Sequence, residues 1–186
     1  ANKYYDSPLS ETGIQQAQQL CRCIGEILTE TDQNGIDIMS DDEVGAAVSK
    51  LDLIVVSPLT RALQTLDIAF HPHIINKGMT EQQIPVIAVP EASERVYLIS
   101  DNGKTRRELQ RSFPYVDFTT AFDPSQSMDD TWHYTPTDQD NQNYVEWRPH
   151  DAGQIYACLG EVQENFDRRM TELYHWLAMR SERCIA

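Results

Sequence analysis

The spacing of apolar residues changes along the chain, and each change predicts an element. Ile14, Ala17, Cys21, Ile24 and Leu28 recur three and four residues apart, the period of one buried helix face, in the stretch that runs to Glu30. Thr12 followed by Gln15 has capping-box spacing and predicts where that helix starts. Thr31 to Lys50 is polar and acidic, contains Gly35 and Gly45 and keeps no period, so a loop or insertion is expected. Leu51, Leu53, Ile54, Val55 and Val56 then form a nearly continuous apolar run, which suits a central strand covered on both faces. Ser57 as N-cap and Pro58 in the first turn predict a helix directly after it, with Leu59, Ala62, Leu63, Leu66 and Ala69/Phe70 as its apolar stripe.

A second apolar run, Ile84 to Pro90, predicts another strand of the same sheet. "KTRRELQRSF" reads as a short helix with Thr105 and Glu108 in capping-box spacing. Phe118 to His150 is rich in aromatics, Asp, Asn and Pro without a period, and is expected to be a long ordered loop or small cap region. Leu159, Val162, Phe166, Met170, Leu173 and Leu177 step by three and four and predict one long helix packed on the sheet. The closing "RCIA" has the look of the first residues of an apolar strand. Strands alternating with helices predict an α/β layer architecture, and 186 residues suit a single domain, 1–186.

Composition narrows the possible functions. A formal net charge of -14 argues against nonspecific nucleic-acid binding, which draws on clustered Lys and Arg. An anionic substrate would need a locally positive pocket. No apolar run approaches the ~20 residues of a membrane span. Cys21, Cys23, Cys158 and Cys184 form neither a disulfide scaffold nor a Cys-x-x-Cys pair, so reduced thiols in a cytoplasmic protein are expected. "HPH" at His71 to His73 has no third ligand at metal spacing, and "DQDNQN" at Asp138 to Asn143 lacks the glycine and glutamate of a calcium loop. Neither a metal nor another cofactor is expected.

Arg61 is the sharpest candidate for chemistry. Ligands of open α/β sheets bind at the carboxyl ends of the strands, where a helix N-terminus offers free N–H groups and an arginine can grip two phosphate oxygens. By spacing alone, a surface arginine making a helix salt bridge is the better reading. Arg106 and Arg107 could add charge for an acidic substrate tail, or pair with Glu108 and face water. Trp132 and Trp147 either pack the long loop or line a substrate site.

Three phrases, taken in order, extend the reading. "VVSPLTRALQT" resembles the Ser-Pro-Leu-x-Arg-Ala-x-x-Thr signature of the histidine phosphatase superfamily, the phosphoglycerate mutase-like proteins. "DSPLSETGIQQAQQL" is similar to that family's Asp-x-x-Leu-Thr-x-x-Gly-x-x-Gln-Ala segment, and "PEASERVYLISDNGKTRRELQRSFPYVDF" resembles a later stretch of its eukaryotic members. The resemblance covers most of the chain, thinly from Thr119 to His150. It implies a three-layer sandwich with a mostly parallel sheet, incomplete within these 186 residues.

The resemblance also implies roles. Arg61 binds the substrate phosphate, and a carboxylate after the next strand protonates the leaving oxygen; Glu94 matches that position, with Glu91 as its rival, and from the residues alone either also reads as a solvated loop carboxylate. Family members open with Arg-His-Gly, whose histidine attacks phosphorus, and close with Ser-His. Neither phrase is present, and His71, His73, His133, His150 and His175 match neither position. The gaps fall before Ala1 and after Ala186, so this chain is expected to be the inactive middle of a longer phosphatase or mutase acting on a phosphorylated small molecule or phosphoprotein. The alternative is a non-catalytic relative that binds a phosphorylated ligand or a protein partner, for which the acidic surface would suit a basic one.

Overall fold

The alternating exposure of a pleated strand explains how the apolar run at residues 53–56 serves two sides of a sheet. In the computed structural model, which describes residues 5–34, 51–75, 84–134 and 161–186, β1 (Ile54–Val56) pairs in parallel with β2 (Val86–Ala88), Val55 opposite Ile87. Leu53 forms a further parallel bridge with Ile185, and Ile87 one with Asp117. The "RCIA" segment therefore does run beside β1, with Ala186 accepting from the Val55 N–H at 2.7 Å.

Ile54, Val56, Val86 and Ala88 turn to one face, where Leu63 and Leu66 of the next helix meet Leu109, Phe113, Val116, Phe118 and Phe122. Leu53, Ile87 and Val89 turn to the other, against Leu173, Trp176 and Ile185. Among the described residues this is a mixed α/β structure with a small parallel sheet and four α-helices, and both sheet faces carry apolar cover.

The helices are α1 (Glu11–Asn34), α2 (Thr60–Ala69), α3 (Arg106–Ser112) and α4 (Gln163–Ala178). Ala17 and Ile24 give α1 its buried face, next to Ala69 and Phe70 at the end of α2. Its start differs from expectation. The helix begins at Glu11, and Ser10 rather than Thr12 caps it, its hydroxyl accepting the Gly13 N–H at 3.1 Å. The chain is already pinned at Leu9, whose N–H donates to the Gln64 side chain at 2.8 Å, so the first free cap position is Ser10. At its other end α1 continues through Thr31–Asn34, past the expected boundary; residues 35–50 of the expected loop lie outside the described residues.

A second correction concerns α2. Helical geometry starts at Thr60, with Leu59 at the cap position and no side-chain cap of its own. Pro58 lacks an N–H, and Ser57 Oγ reaches only the Leu59 N–H, at 3.4 Å. The α3 capping box stands as its sequence suggests, with Thr105 and Glu108 each serving the other's backbone.

Beyond α2, "HPH" opens a π-helical turn, His71–Ile75. Residues 118–134 form successive turns held by Asp117, Asp123 and Asp130 bonding to nearby N–H groups; 135–150 lie outside the described residues, as do Leu159 and Cys158. In α4 no side chain is fully buried, so the predicted stripe contributes partial contacts through Leu173 and Trp176. No helix among the described residues is long and apolar enough to cross a membrane.

Candidate functional site

The carboxyl ends of β1 and β2 open onto two short connections: residues 57–59, which lead into α2, and the loop that begins with a 3-10 turn at Pro90–Ala92. Ser57 Oγ and Ser93 Oγ, 3.3 Å apart, tie the two connections together. Arg61 is the second residue of α2, so its side chain rises over this edge.

The guanidinium has three partners. Nη1 donates to the Ser100 carbonyl at 2.8 Å, and Nη2 donates to Glu94 Oε2 at 2.7 Å and Asp101 Oδ1 at 3.1 Å. The side chains of Arg61, Glu94 and Asp101 are 23%, 69% and 8% exposed, which grades the site from a buried carboxylate through a half-covered cation to an open carboxylate. Asp101 is fixed in turn, because its Oδ2 accepts the N–H groups of Tyr97 and Leu98 at 3.0 and 2.8 Å. A buried acid that closes its own turn is a firm stop behind a planar guanidinium.

Asp6 supplies what α2 lacks. It sits in the left-handed region at φ 43 and is fully buried; its carboxylate accepts the Thr60 N–H at 2.9 Å, the Thr60 hydroxyl at 2.5 Å and the Lys104 N–H at 3.2 Å. A carboxylate at this helix end is favoured by the dipole and satisfies first-turn donors. The Thr60 N–H is thereby taken, and the Arg61 guanidinium is a cation beside this helix end.

Glu91 has a different environment from Glu94. Burial pushes its carboxyl above the usual range, its own backbone hydrogen bond lowers it, Glu172 adds to the rise and Arg169 opposes it. Both glutamates line a cavity of about 370 Å³ whose walls include Ser93, Trp132, His133 and Arg168. Burial holds the His133 ring below its usual pKa, against smaller raising effects of the Tyr134 carbonyl and Asp6. Trp132 is locked by donating Nε1 to the Lys104 carbonyl at 2.7 Å and lies close against Gly103. A Cβ at Gly103 would fall 1.9 Å from the indole, so only glycine allows that approach.

Of the residues singled out in the sequence, Arg61 and Glu94 come together and Arg106 and Arg107 lie apart from them. Arg106 is 3% exposed; it donates to the carbonyls of Phe118, Gln126 and Ser127 and lies over the Phe122 ring, so it organises the turns after α3. Arg107 is on the surface and pairs with Asp129 at 2.7 Å. His71 packs against Tyr115, and His150 lies outside the described residues. Among the described residues there is no cluster of three or more His, Cys, Asp or Glu able to hold a metal. Two contributors were not singled out by sequence: Asp6, visible only as the first residue of a matching phrase, and Asp101, in an unremarkable loop.

Comparison with known proteins gives one match to report. The chain is similar to a protein of Schizosaccharomyces pombe described as a probable phosphatase, 28% identical over 112 residues, which is 52% of this chain and 50% of that protein. The match thus spans about half the length of that relative. No family model matches the chain, and no solved structure does.

Proposed function

We propose that the full-length protein is a phosphatase or phosphomutase of the histidine phosphatase type, acting on phosphate monoesters through a phosphohistidine. In this reading the small parallel sheet is part of the middle layer of a three-layer sandwich. The observation that carries it is the meeting of Arg61 and Glu94 at the carboxyl ends of two parallel strands, a permanent cation 2.7 Å from an exposed carboxylate. The signature phrases around both residues and the probable phosphatase among the relatives support it.

The chemistry would proceed in two displacements. An imidazole nitrogen forms a bond to phosphorus as the bond to the leaving oxygen breaks, and that oxygen takes its proton from Glu94. Water, or an acceptor hydroxyl in a mutase, then attacks phosphorus while the Glu94 carboxylate takes the proton, and the histidine is released. Arg61 neutralises the phosphoryl oxygens in both steps. Phosphate arriving at Nη2 competes with Glu94 for that nitrogen, which frees the carboxylate to turn to the leaving oxygen, while Asp101 and the Ser100 carbonyl keep the guanidinium aimed.

Since no histidine of this sequence stands in a matching phrase, the reading assigns the nucleophile to flanking sequence. The substrate is a phosphorylated small molecule or phosphoprotein, and the reaction as written calls for neither metal nor cofactor. The test is turnover of phosphate monoesters by the full-length protein. Arg61→Ala is expected to lower kcat/KM by about 10²–10³-fold with the fold intact. Glu94→Gln is expected to lose about 10²–10⁴-fold on alkyl phosphates, and a larger loss from Glu91→Gln would transfer the acid role to Glu91. Full turnover in Arg61→Ala removes the arginine from the mechanism. Absence of phosphate release from the unmodified protein would favour a phosphate-binding relative.

A further inference from the structure

The loop that carries Glu94 has little regular structure, and its backbone carbonyls need partners. They find them on α4. Arg169, 14% exposed, donates through Nη1 to the carbonyls of Glu91 and Ser93 at 2.9 and 2.7 Å, and through Nη2 to the carbonyl of Glu94 at 2.8 Å. The same guanidinium meets both oxygens of Glu161, Nε at 2.7 Å and Nη2 at 2.8 Å, and Glu161 is 1% exposed. Glu161 is itself joined to the loop: its N–H donates to the Val96 carbonyl at 2.7 Å, its Oε2 accepts the Val96 N–H at 3.3 Å, and its carbonyl accepts Nε of Arg95 at 2.8 Å.

We propose that Arg169, held by Glu161, is a positioning residue that sets the place of the Glu94 carboxyl by clamping the backbone on which it is mounted; the inference rests on the phosphoryl-transfer reading above. Glu94 is held between two arginines, Arg169 on its carbonyl and Arg61 on its carboxylate. A buried ion pair is a poor device for stability alone, because well-packed apolar residues of the same volume serve as well. What only a guanidinium supplies is a planar fan of donors that can serve one carboxylate and three carbonyls at once. A general acid must sit within about 3 Å of the oxygen it protonates, so a loop free to drift by 1 Å would forfeit much of its effect.

The experiment uses the full-length protein and two probes: para-nitrophenyl phosphate, whose leaving group departs without a proton, and β-glycerol phosphate, whose alkoxide needs one. Arg169→Ala is expected to lose about 10²-fold on the alkyl ester and less than about threefold on the nitrophenyl ester. The falling limb at high pH on the alkyl ester is expected to weaken with it. Arg169→Lys and Glu161→Gln should shift the ratio of the two esters in the same direction; they carry the test if the alanine variant does not fold. Equal losses on both esters, or no loss on the alkyl ester, overturn the positioning role. The underlying reading fails separately, if Arg61→Ala keeps the turnover of both probes.

Discussion

The entrances to α2 and α3 meet the same physical need in opposite ways. α3 closes on itself, Thr105 accepting the Glu108 N–H and the Glu108 carboxylate accepting the Thr105 N–H, all within four residues. α2 has no cap of its own and takes a buried carboxylate from Asp6, 54 positions earlier. The first-turn arginines differ in parallel. Arg106 is spent on carbonyls inside the fold, whereas Arg61 is braced by Asp101 from behind and keeps an exposed carboxylate in front. An entrance that satisfies itself is a scaffold. The entrance whose needs are met from distant segments, Asp6 at its cap and the loop of Glu94 and Asp101 at Arg61, is where those segments must converge, and there a site can be built.

The largest effect is expected where the distant cap is removed. Asp6→Ala leaves the Thr60 N–H and hydroxyl and the Lys104 N–H without their acceptor, and should cost about 3 kcal/mol in urea unfolding, with no relief of the left-handed backbone because alanine also carries a Cβ. Arg106→Leu should cost about 2 kcal/mol, since it strands the carbonyls of Phe118, Gln126 and Ser127. A midpoint unchanged by Arg106→Leu would mean that the turns after α3 hold themselves. Thr105→Ala, at the self-contained entrance, should cost about 1 kcal/mol, below Asp6→Ala; the reverse order would break the contrast between the entrances.

The smallest effect concerns Glu91. Its folded-state pKa is raised, so its favourable contribution is complete below the ordinary carboxylate pKa and is lost as pH rises through the raised value. Glu91→Gln should therefore raise the melting temperature slightly at neutral pH, with the gain disappearing in acid. A gain of equal size at pH 4 and pH 7 would show that charge at this position is not the cause.

Local signals were legible where the physics is local. The apolar runs gave both strands, because a residue flanked on both faces must be apolar whatever covers it. The Thr105 box and the stripe of α2 were readable for the same reason. The α1 cap and the α2 start were each misplaced by two residues, since contacts of Leu9 with Gln64 and of Asp6 with Thr60 decided them and neither leaves a nearby mark. Arg61 and Glu94 were singled out by resemblance to known phrases, while Asp101, Glu161 and Arg169 looked like ordinary charged positions.

The sequence by itself determined the alternation of strand and helix, the apolar stripe of α2, and the cap of α3, because each depends on neighbours within one or two turns. Only the tertiary structure decided which charges serve the fold and which face outward. Arg61, Arg106, Arg107 and Arg169 are chemically identical, and their difference arises from what lies opposite each guanidinium: carboxylates at an open edge for Arg61, buried carbonyls for Arg106, a surface aspartate for Arg107, and both a carboxylate and a loop backbone for Arg169. Partners so far apart in sequence are brought within 3 Å only when the sheet and its helices have packed.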